Sequence, residues 1–163
     1  MKSDVLVVQD LRDILHILQE RVKGYNASAY NAENLQLKML LHRELDNTRD
    51  CIIGIKRLLI EHFEGFSDAE STGHLFGIWS DFKPSFTETD LDLQFESFEL
   101  ADLLTIQCYQ LLLSRPYLDS NSRNLLEFQY QNNLAIFKSI KSFRIAHCST
   151  MNHATGFQLQ KRA

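Results

Sequence analysis

The sequence contains few residues that interrupt a helix. Among its 163 residues there are two prolines, Pro84 and Pro116, and six glycines. Proline breaks a helix interior and glycine weakens it, so their scarcity favours long helices. There is also no run of about 18 uncharged apolar residues, so no transmembrane helix is predicted. The apolar run at residues 5–8 is too short for a signal peptide and has acidic neighbours, so we expect a cytoplasmic protein.

Cysteine is scarce, and positive charge does not dominate. The three cysteines, Cys51, Cys108 and Cys148, are odd in number and share no close spacing. Cys51 and Cys108 fall within apolar helical patterns, so we predict that they are buried, reduced thiols, which suits a cytosolic setting. The formal net charge of the chain is −4. This balance argues against nucleic acid or an anionic membrane as a partner.

The sequence also lacks the short motifs that commonly mark an enzyme. It has no glycine-rich phosphate loop, no Cys-x-x-Cys pair and no Gly-x-Ser-x-Gly elbow. It has no Glu-x-x-His pair either, which is the spacing that di-iron helical bundles use to offer an oxygen and an imidazole to the same metals. We therefore expect a protein that is not an enzyme and that needs no cofactor.

What the sequence does contain is four stretches with the apolar periodicity of a helix. The predicted long helices run from Ser3 or Asp4 to about Asn31, from about Glu33 to Phe63, from Thr89 or Asp90 to just before Pro116, and from 119–122 to about His147. The predicted inner face of the fourth helix carries Leu125, Phe128, Ile136, Ile140 and Phe143. These elements predict an all-α four-helix bundle over residues 1–147. Residues 148–163 show no amphipathic period, so a flexible C-terminal tail is predicted there.

The lengths of the connections predict how these helices are arranged. The first two helices are separated by a few residues and should be antiparallel, whereas residues 64–89 can cross the length of a bundle. The second and third long helices can therefore run parallel, with a short helix at about 75–82 in the crossover. Its apolar side chains, Phe76, Ile78, Trp79 and Phe82, suggest a patch that meets a second copy of the chain in a homodimer. The alternative is that Trp79 only covers one end of the core.

Two carboxylates interrupt the apolar stripe of the third long helix. At about 100° per residue, Glu99 lies about 40° and Asp102 about 20° from Phe95, in the middle of that stripe. Glu44 of the second helix also falls on an inner face. Buried carboxylates require partners or protons. We therefore predict that Lys23 of the first helix or Arg49 of the second contacts one of these three acids.

The order of these parts resembles a ferritin-like bacterial family catalogued as a domain of unknown function, four-helix bundles distantly related to rubrerythrins. The resemblance covers about Leu11 to Phe143 and depends on Lys23-Gly24-Tyr25, on Gly73…Gly77-x-Trp79…Lys83, and on Glu96-x-x-Glu99 followed by Tyr109. Members typically have a glutamate where this chain has Lys23 and a histidine just before the crossover tryptophan, where this chain has Gly77 and Ile78. The resemblance implies the fold and supplies little biochemistry.

The inward polar residues allow two interpretations. Glu44, Glu99 and Asp102 could hold iron or manganese, as a mononuclear or di-iron site in a protein of iron handling or oxidative stress. Alternatively, they could form a structural polar layer with Gln129 and Asn132. The predicted inner face of the first helix offers no acid, which favours the layer. We therefore expect a non-enzymatic bundle that acts through self-association or protein interaction. A metal-dependent protein and a bundle that holds an apolar ligand between its helices remain as alternatives.

Overall fold

The computed structural model describes residues 2–62, 73–82 and 90–160, and the side chains of residues 5–61, 73–81 and 90–147. Within these ranges the chain is helical and has no strand, which confirms the all-α prediction. The helices are α1 (Lys2–Asn31), α2 (Leu35–His62), α3 (His74–Phe82), α4 (Leu91–Leu113) and α5 (Ser120–Gln160). None of these helices is long and apolar enough to cross a membrane over the described residues.

Short polar side chains define where the helices begin. Asp90 is the N-cap of α4, and its carboxylate accepts hydrogen bonds from the backbone of Asp92 at 3.0 Å and of Leu93 at 3.1 Å. Asn34 caps α2 by accepting from the backbone of Leu37 at 3.0 Å. The alternative cap that the sequence suggested for α4, Thr89, lies outside the described residues. At the other end of the chain, α5 continues to Gln160, so helical backbone extends through most of the segment 148–163 that we predicted as a tail.

The order of residue contacts shows the directions of the long helices. Helices α1 and α4 are joined by the pairs Asp10–Arg115 and Arg21–Asp102. Helices α4 and α5 are joined by Glu99–Arg144 and Tyr109–Gln129. Helices α2 and α5 are joined by Asn47–Asn133 and Cys51–Gln129. In each pair the residue numbers rise along one helix as they fall along the other, so the two helices are antiparallel. It follows that α2 and α4 run in the same direction.

The short helix α3 is held at its start by a carboxylate from α1. Asp13 is fully buried and accepts hydrogen bonds from the backbone N–H of Gly73 at 2.7 Å and of Phe76 at 3.2 Å. It thus caps a helix that begins 60 residues later in the chain. A Cβ at Gly73 would lie 2.5 Å from the Asp13 carboxylate, so glycine is needed for this approach. Trp79, on the next turn, is 1% exposed and belongs to the core.

The core follows the predicted stripes closely, with one clear exception. Phe95, Phe98 and Tyr109 are fully buried, and the rings of Phe95 and Phe98 pack edge to face at 6.3 Å. Cys51 and Cys108 are buried and free, as predicted. Phe128 is 64% exposed, so its assignment to the inner face of the fourth long helix is wrong.

Candidate functional site, a buried charge cluster

A fully buried arginine joins the four long helices at the level of Asp102. Arg21 has no exposed surface, and its guanidinium donates through Nη2 to Glu44 Oε1 at 2.5 Å and to Asp102 Oδ1 at 2.8 Å. Through Nη1 it donates to Asn133 Oδ1 at 3.2 Å. Since Arg21, Glu44, Asp102 and Asn133 belong to α1, α2, α4 and α5 respectively, each long helix contributes at least one residue to this charge cluster.

Tyr25 completes the charge cluster one helical turn after Arg21. Its hydroxyl donates to Asp102 Oδ1 at 2.6 Å, so this oxygen accepts hydrogen bonds from both the phenol and the guanidinium. The Tyr25 ring also lies 5.3 Å from the Arg21 guanidinium carbon, within cation–π distance. On its other side the Tyr25 ring packs against the ring of Phe98 at 5.5 Å. Because Arg21, Tyr25 and Glu44 have no exposed surface, the local dielectric is low and the interactions between the charges are strong.

One guanidinium faces two carboxylates, so the cluster can be neutral only if one carboxyl keeps a proton. Burial, together with the charge of Asp102, raises the pKa of Glu44 to about 8, against a smaller opposing effect of Arg21. Burial also raises the pKa of Asp102, although Arg21 and the hydroxyl of Tyr25 act in the opposite direction. Glu44 Oε2 and Asp102 Oδ2 have no hydrogen-bond partner among the described residues. The physically consistent state at neutral pH is an Arg21–Asp102 ion pair beside a protonated Glu44.

A second, uncharged polar group lies next to the charge cluster, between α2, α4 and α5. Tyr109 donates its hydroxyl to Gln129 Oε1 at 2.7 Å, and Gln129 Nε2 donates to the carbonyl of Cys51 at 3.2 Å. Asn133 Nδ2 donates to the carbonyl of Gln129 at 2.8 Å, and this links the two groups. A Cβ at Gly54 would lie 2.6 Å from Gln129 Nε2, so the glycine leaves room for the buried amide.

The structure brings together three of the five inward polar residues that the sequence suggested. Glu44, Asp102 and Gln129 are buried as expected. Glu99 instead turns toward α5, where its carboxylate accepts from Arg144 Nη1 at 2.8 Å at a partly exposed position. Asn132 is only half-buried, and Asn133 occupies the interior position. One residue corresponds to about 100° on a helix, which is why an error of a single position moved the assigned amide out of the interior.

The predicted counter-charges are wrong, although the predicted type of contact exists. Lys23 is 76% exposed and pairs with Glu20 at 3.1 Å, and Arg49 lies on the surface and pairs with Asp46 at 3.5 Å. Arg21 supplies the buried cation instead. It lies three residues after Leu18 and four before Tyr25, so the apolar period already placed it on the inner face of the first helix.

The first long helix also carries two buried acids that the sequence interpretation missed. Asp13 caps α3, and Asp10 is 4% exposed and accepts from Arg115 Nε at 2.7 Å. The expectation that the inner side of this helix has no acid is therefore wrong. Both carboxylates already have hydrogen-bonding partners, and neither contacts the charge cluster.

The chemistry of the charge cluster suits an internal cation better than a metal ion. A metal that bound Glu44 and Asp102 together would have to displace the guanidinium of Arg21, which already bridges the two carboxylates. No group of three or more His, Cys, Asp or Glu side chains with metal-binding geometry occurs among the described residues. The cluster is closed, since Arg21, Tyr25 and Glu44 have no exposed surface. In this closed state its chemistry is limited to holding charge, a proton and the relative positions of the four helices.

Comparison with models of known protein families and with curated proteins finds no match for this chain.

Proposed function

We propose that this chain is a ferritin-like four-helix bundle, with α3 in its crossover, that has no enzymatic activity and acts through self-association or protein interaction. The observation that carries the proposal is the buried guanidinium of Arg21 between Glu44 and Asp102. In a di-iron bundle the inward carboxylates neutralise metal ions, whereas in this chain an arginine supplies the positive charge. The antiparallel contacts of α1 with α4 and of α2 with α5 support the bundle assignment.

Metal analysis of the purified protein tests whether Arg21 takes the place of a metal ion between Glu44 and Asp102. We expect wild type to contain far less than one iron or manganese ion per chain and to show no change in Tm when either metal is added. Removing one partner of a buried ion pair costs about 3–5 kcal/mol, so Arg21→Gln should be strongly destabilised. Divalent metal should then raise the Tm of Arg21→Gln, because the two carboxylates have lost their counter-charge.

Lys23→Gln is the matched control, because Lys23 is a cation on the same helix that lies in solvent. It should behave as wild type both in stability and in its response to metal. A wild-type protein that binds about two iron ions per chain, with a large rise in Tm, would contradict the proposal and favour the metal-dependent alternative.

The proposed self-association involves the apolar patch of the short helix α3, which the sequence suggested to consist of Phe76, Ile78, Trp79 and Phe82. Trp79 is buried within its own chain and is not available to a partner. Phe76 and Ile78 pack against the core but keep exposed surface, while the Phe82 side chain lies outside the described residues. The homodimer we propose therefore depends on Phe76 and Ile78. Sedimentation velocity over a range of concentrations should show a dimer that Ile78→Glu dissociates and that Ile53→Glu, a change at a 65% exposed isoleucine of α2, leaves intact. A wild type that remains monomeric at high concentration would exclude it.

A further inference from the structure

An apolar groove opens on the surface between the first half of α2 and the distal part of α5. It is lined by Gln36, Met39, Leu40, Arg43 and Phe143 and has a volume of about 480 Å³. Met39 is 65% exposed, and Leu40 and Phe143 are partly exposed. The floor of the groove is therefore apolar surface that the described part of the chain leaves uncovered.

On the α5 side of the groove, Phe143 also packs against α4. The Phe143 ring packs 5.5 Å from Phe95 of α4 and stacks on His147 at 6.2 Å. Further along, α2 and α5 are joined directly by hydrogen bonds from Asn47 to Asn133 and from Gln129 to the backbone of α2. Nearer the start of α2 the described side chains form no hydrogen bond between α2 and α5, and Met39 and Leu40 border the groove there.

The rim of the groove carries the guanidinium of Arg43, an exposed side chain. Among the described residues Arg43 makes no ion pair or hydrogen bond, and its charge has only a small lowering effect on the pKa of the buried Glu44. Its nearest acids along the chain are already engaged, since Glu44 accepts from Arg21 in the interior and Asp46 pairs with Arg49 on the surface. An exposed guanidinium beside an apolar groove is complementary to a molecule that has an apolar body and an anionic head.

We propose that this groove binds a free aliphatic carboxylate. Its hydrocarbon chain lies on Met39, Leu40 and Phe143, and its carboxylate accepts hydrogen bonds from Arg43, with the amide of Gln36 beside it. The volume of the groove lies within the range of about 300–1,000 Å³ typical of small-molecule sites. A flexible methionine in the lining adapts to an aliphatic chain. Because the groove is concave and carries one cation, it suits a single molecule in solution better than a lipid surface.

Calorimetric titration with dodecanoate, kept below its micellar concentration, tests the proposal, with dodecanol as the uncharged analogue of the same chain length. We expect one dodecanoate per chain. Arg43→Gln should weaken dodecanoate binding by up to about fivefold, the upper limit for a solvent-exposed ion pair, and leave dodecanol binding unchanged. Met39→Glu should abolish binding of both, because it places a charge on the apolar floor. Arg57→Gln, at a 63% exposed arginine further along α2, is the matched control and should bind as wild type.

Several results would overturn the proposal. Absence of dodecanoate binding to wild type would do so, as would an equal loss in Arg43→Gln and Arg57→Gln. Binding to anionic vesicles without binding to free dodecanoate would assign the surface to a membrane. Sedimentation in which Met39→Glu dissociates a wild-type dimer would show that a second copy of the chain covers the groove. If Met39→Glu fails to fold by circular dichroism, the comparison of Arg43→Gln with Arg57→Gln still decides the matter.

Discussion

Replacing Glu44 by glutamine should remove a pH dependence of stability that the wild type has. Burial, together with the charge of Asp102, raises the pKa of Glu44 from 4.5 to about 8 in the folded protein. Between these two values the folded state holds a proton that the unfolded chain releases. The stability that this proton provides is fully present below pH about 4.5 and is lost progressively as the pH rises toward 8.

The size of the effect follows from the two pKa values. A difference of one pKa unit corresponds to a little over 1 kcal/mol, and titration between 4.5 and about 8 predicts that wild type loses roughly 3 kcal/mol of unfolding free energy from pH 5 to pH 8. For a chain of this size, that loss should lower Tm by about 10 °C. Glu44→Gln has nearly the shape of the protonated carboxyl and cannot ionise, so it should lack this fall.

The assay is urea unfolding followed by the fluorescence of Trp79, from pH 5 to pH 8.5, on wild type, Glu44→Gln and Glu61→Gln. Glu61 lies on the same helix and is 55% exposed, so its variant should follow wild type. Any pH dependence that does not involve Glu44 is common to the three proteins and cancels in the comparison. Parallel loss of stability in wild type and Glu44→Gln would refute the reasoning, and so would a wild type that becomes more stable as the pH rises.

Two further predictions concern the core. Asp13→Ala should lower the unfolding free energy by about 2 kcal/mol, because α3 loses its N-cap and two backbone N–H groups lose their acceptor. The fluorescence of Trp79 should also shift as α3 loosens. An unchanged urea midpoint would contradict this role of Asp13. Phe95→Ala should lower the unfolding free energy, measured by chemical denaturation, by about 3–5 kcal/mol. Phe128→Ala, at a 64% exposed position, should change it by no more than about 0.5 kcal/mol. Similar losses in both variants would mean that the inner face is assigned incorrectly.

The charge cluster has a cost and a structural consequence. Buried ion pairs are often less stabilising than apolar residues of the same volume, so the association of Arg21, Glu44 and Asp102 is poor evidence for high stability. Its directional hydrogen bonds, however, join α1 to α2, α4 and α5 at one level. A shift of one helix by a turn would leave charges unpaired in the interior. We therefore interpret the cluster as a group that favours a single alignment of the helices.

The sequence by itself determined the helical class and most of the core. Scarce proline and glycine permit long helices, and apolar residues repeat with a period close to 3.6, which is a local property that can be read along the chain. Phe95, the reference residue of the apolar stripe predicted for the third long helix, is fully buried, and the predicted short helix at 75–82 is α3. The sequence also showed that Glu44 and Asp102 point inward and need partners.

Only the tertiary structure decided which partners they have. A helical wheel gives the side on which a residue lies, and on that ground it already favours Arg21 over Lys23 as the inward cation. It does not give the level at which two helices meet, and that level decides that Arg21 contacts Glu44, Asp102 and Asn133. For the same reason the capping of α3 by Asp13 could not be predicted, because it joins residues 60 positions apart in the chain. The inward position of Asn133 and the exposure of Phe128 depend on the rotation of α5 against its neighbours. Such rotations are set by packing between helices, which no single stretch of sequence contains.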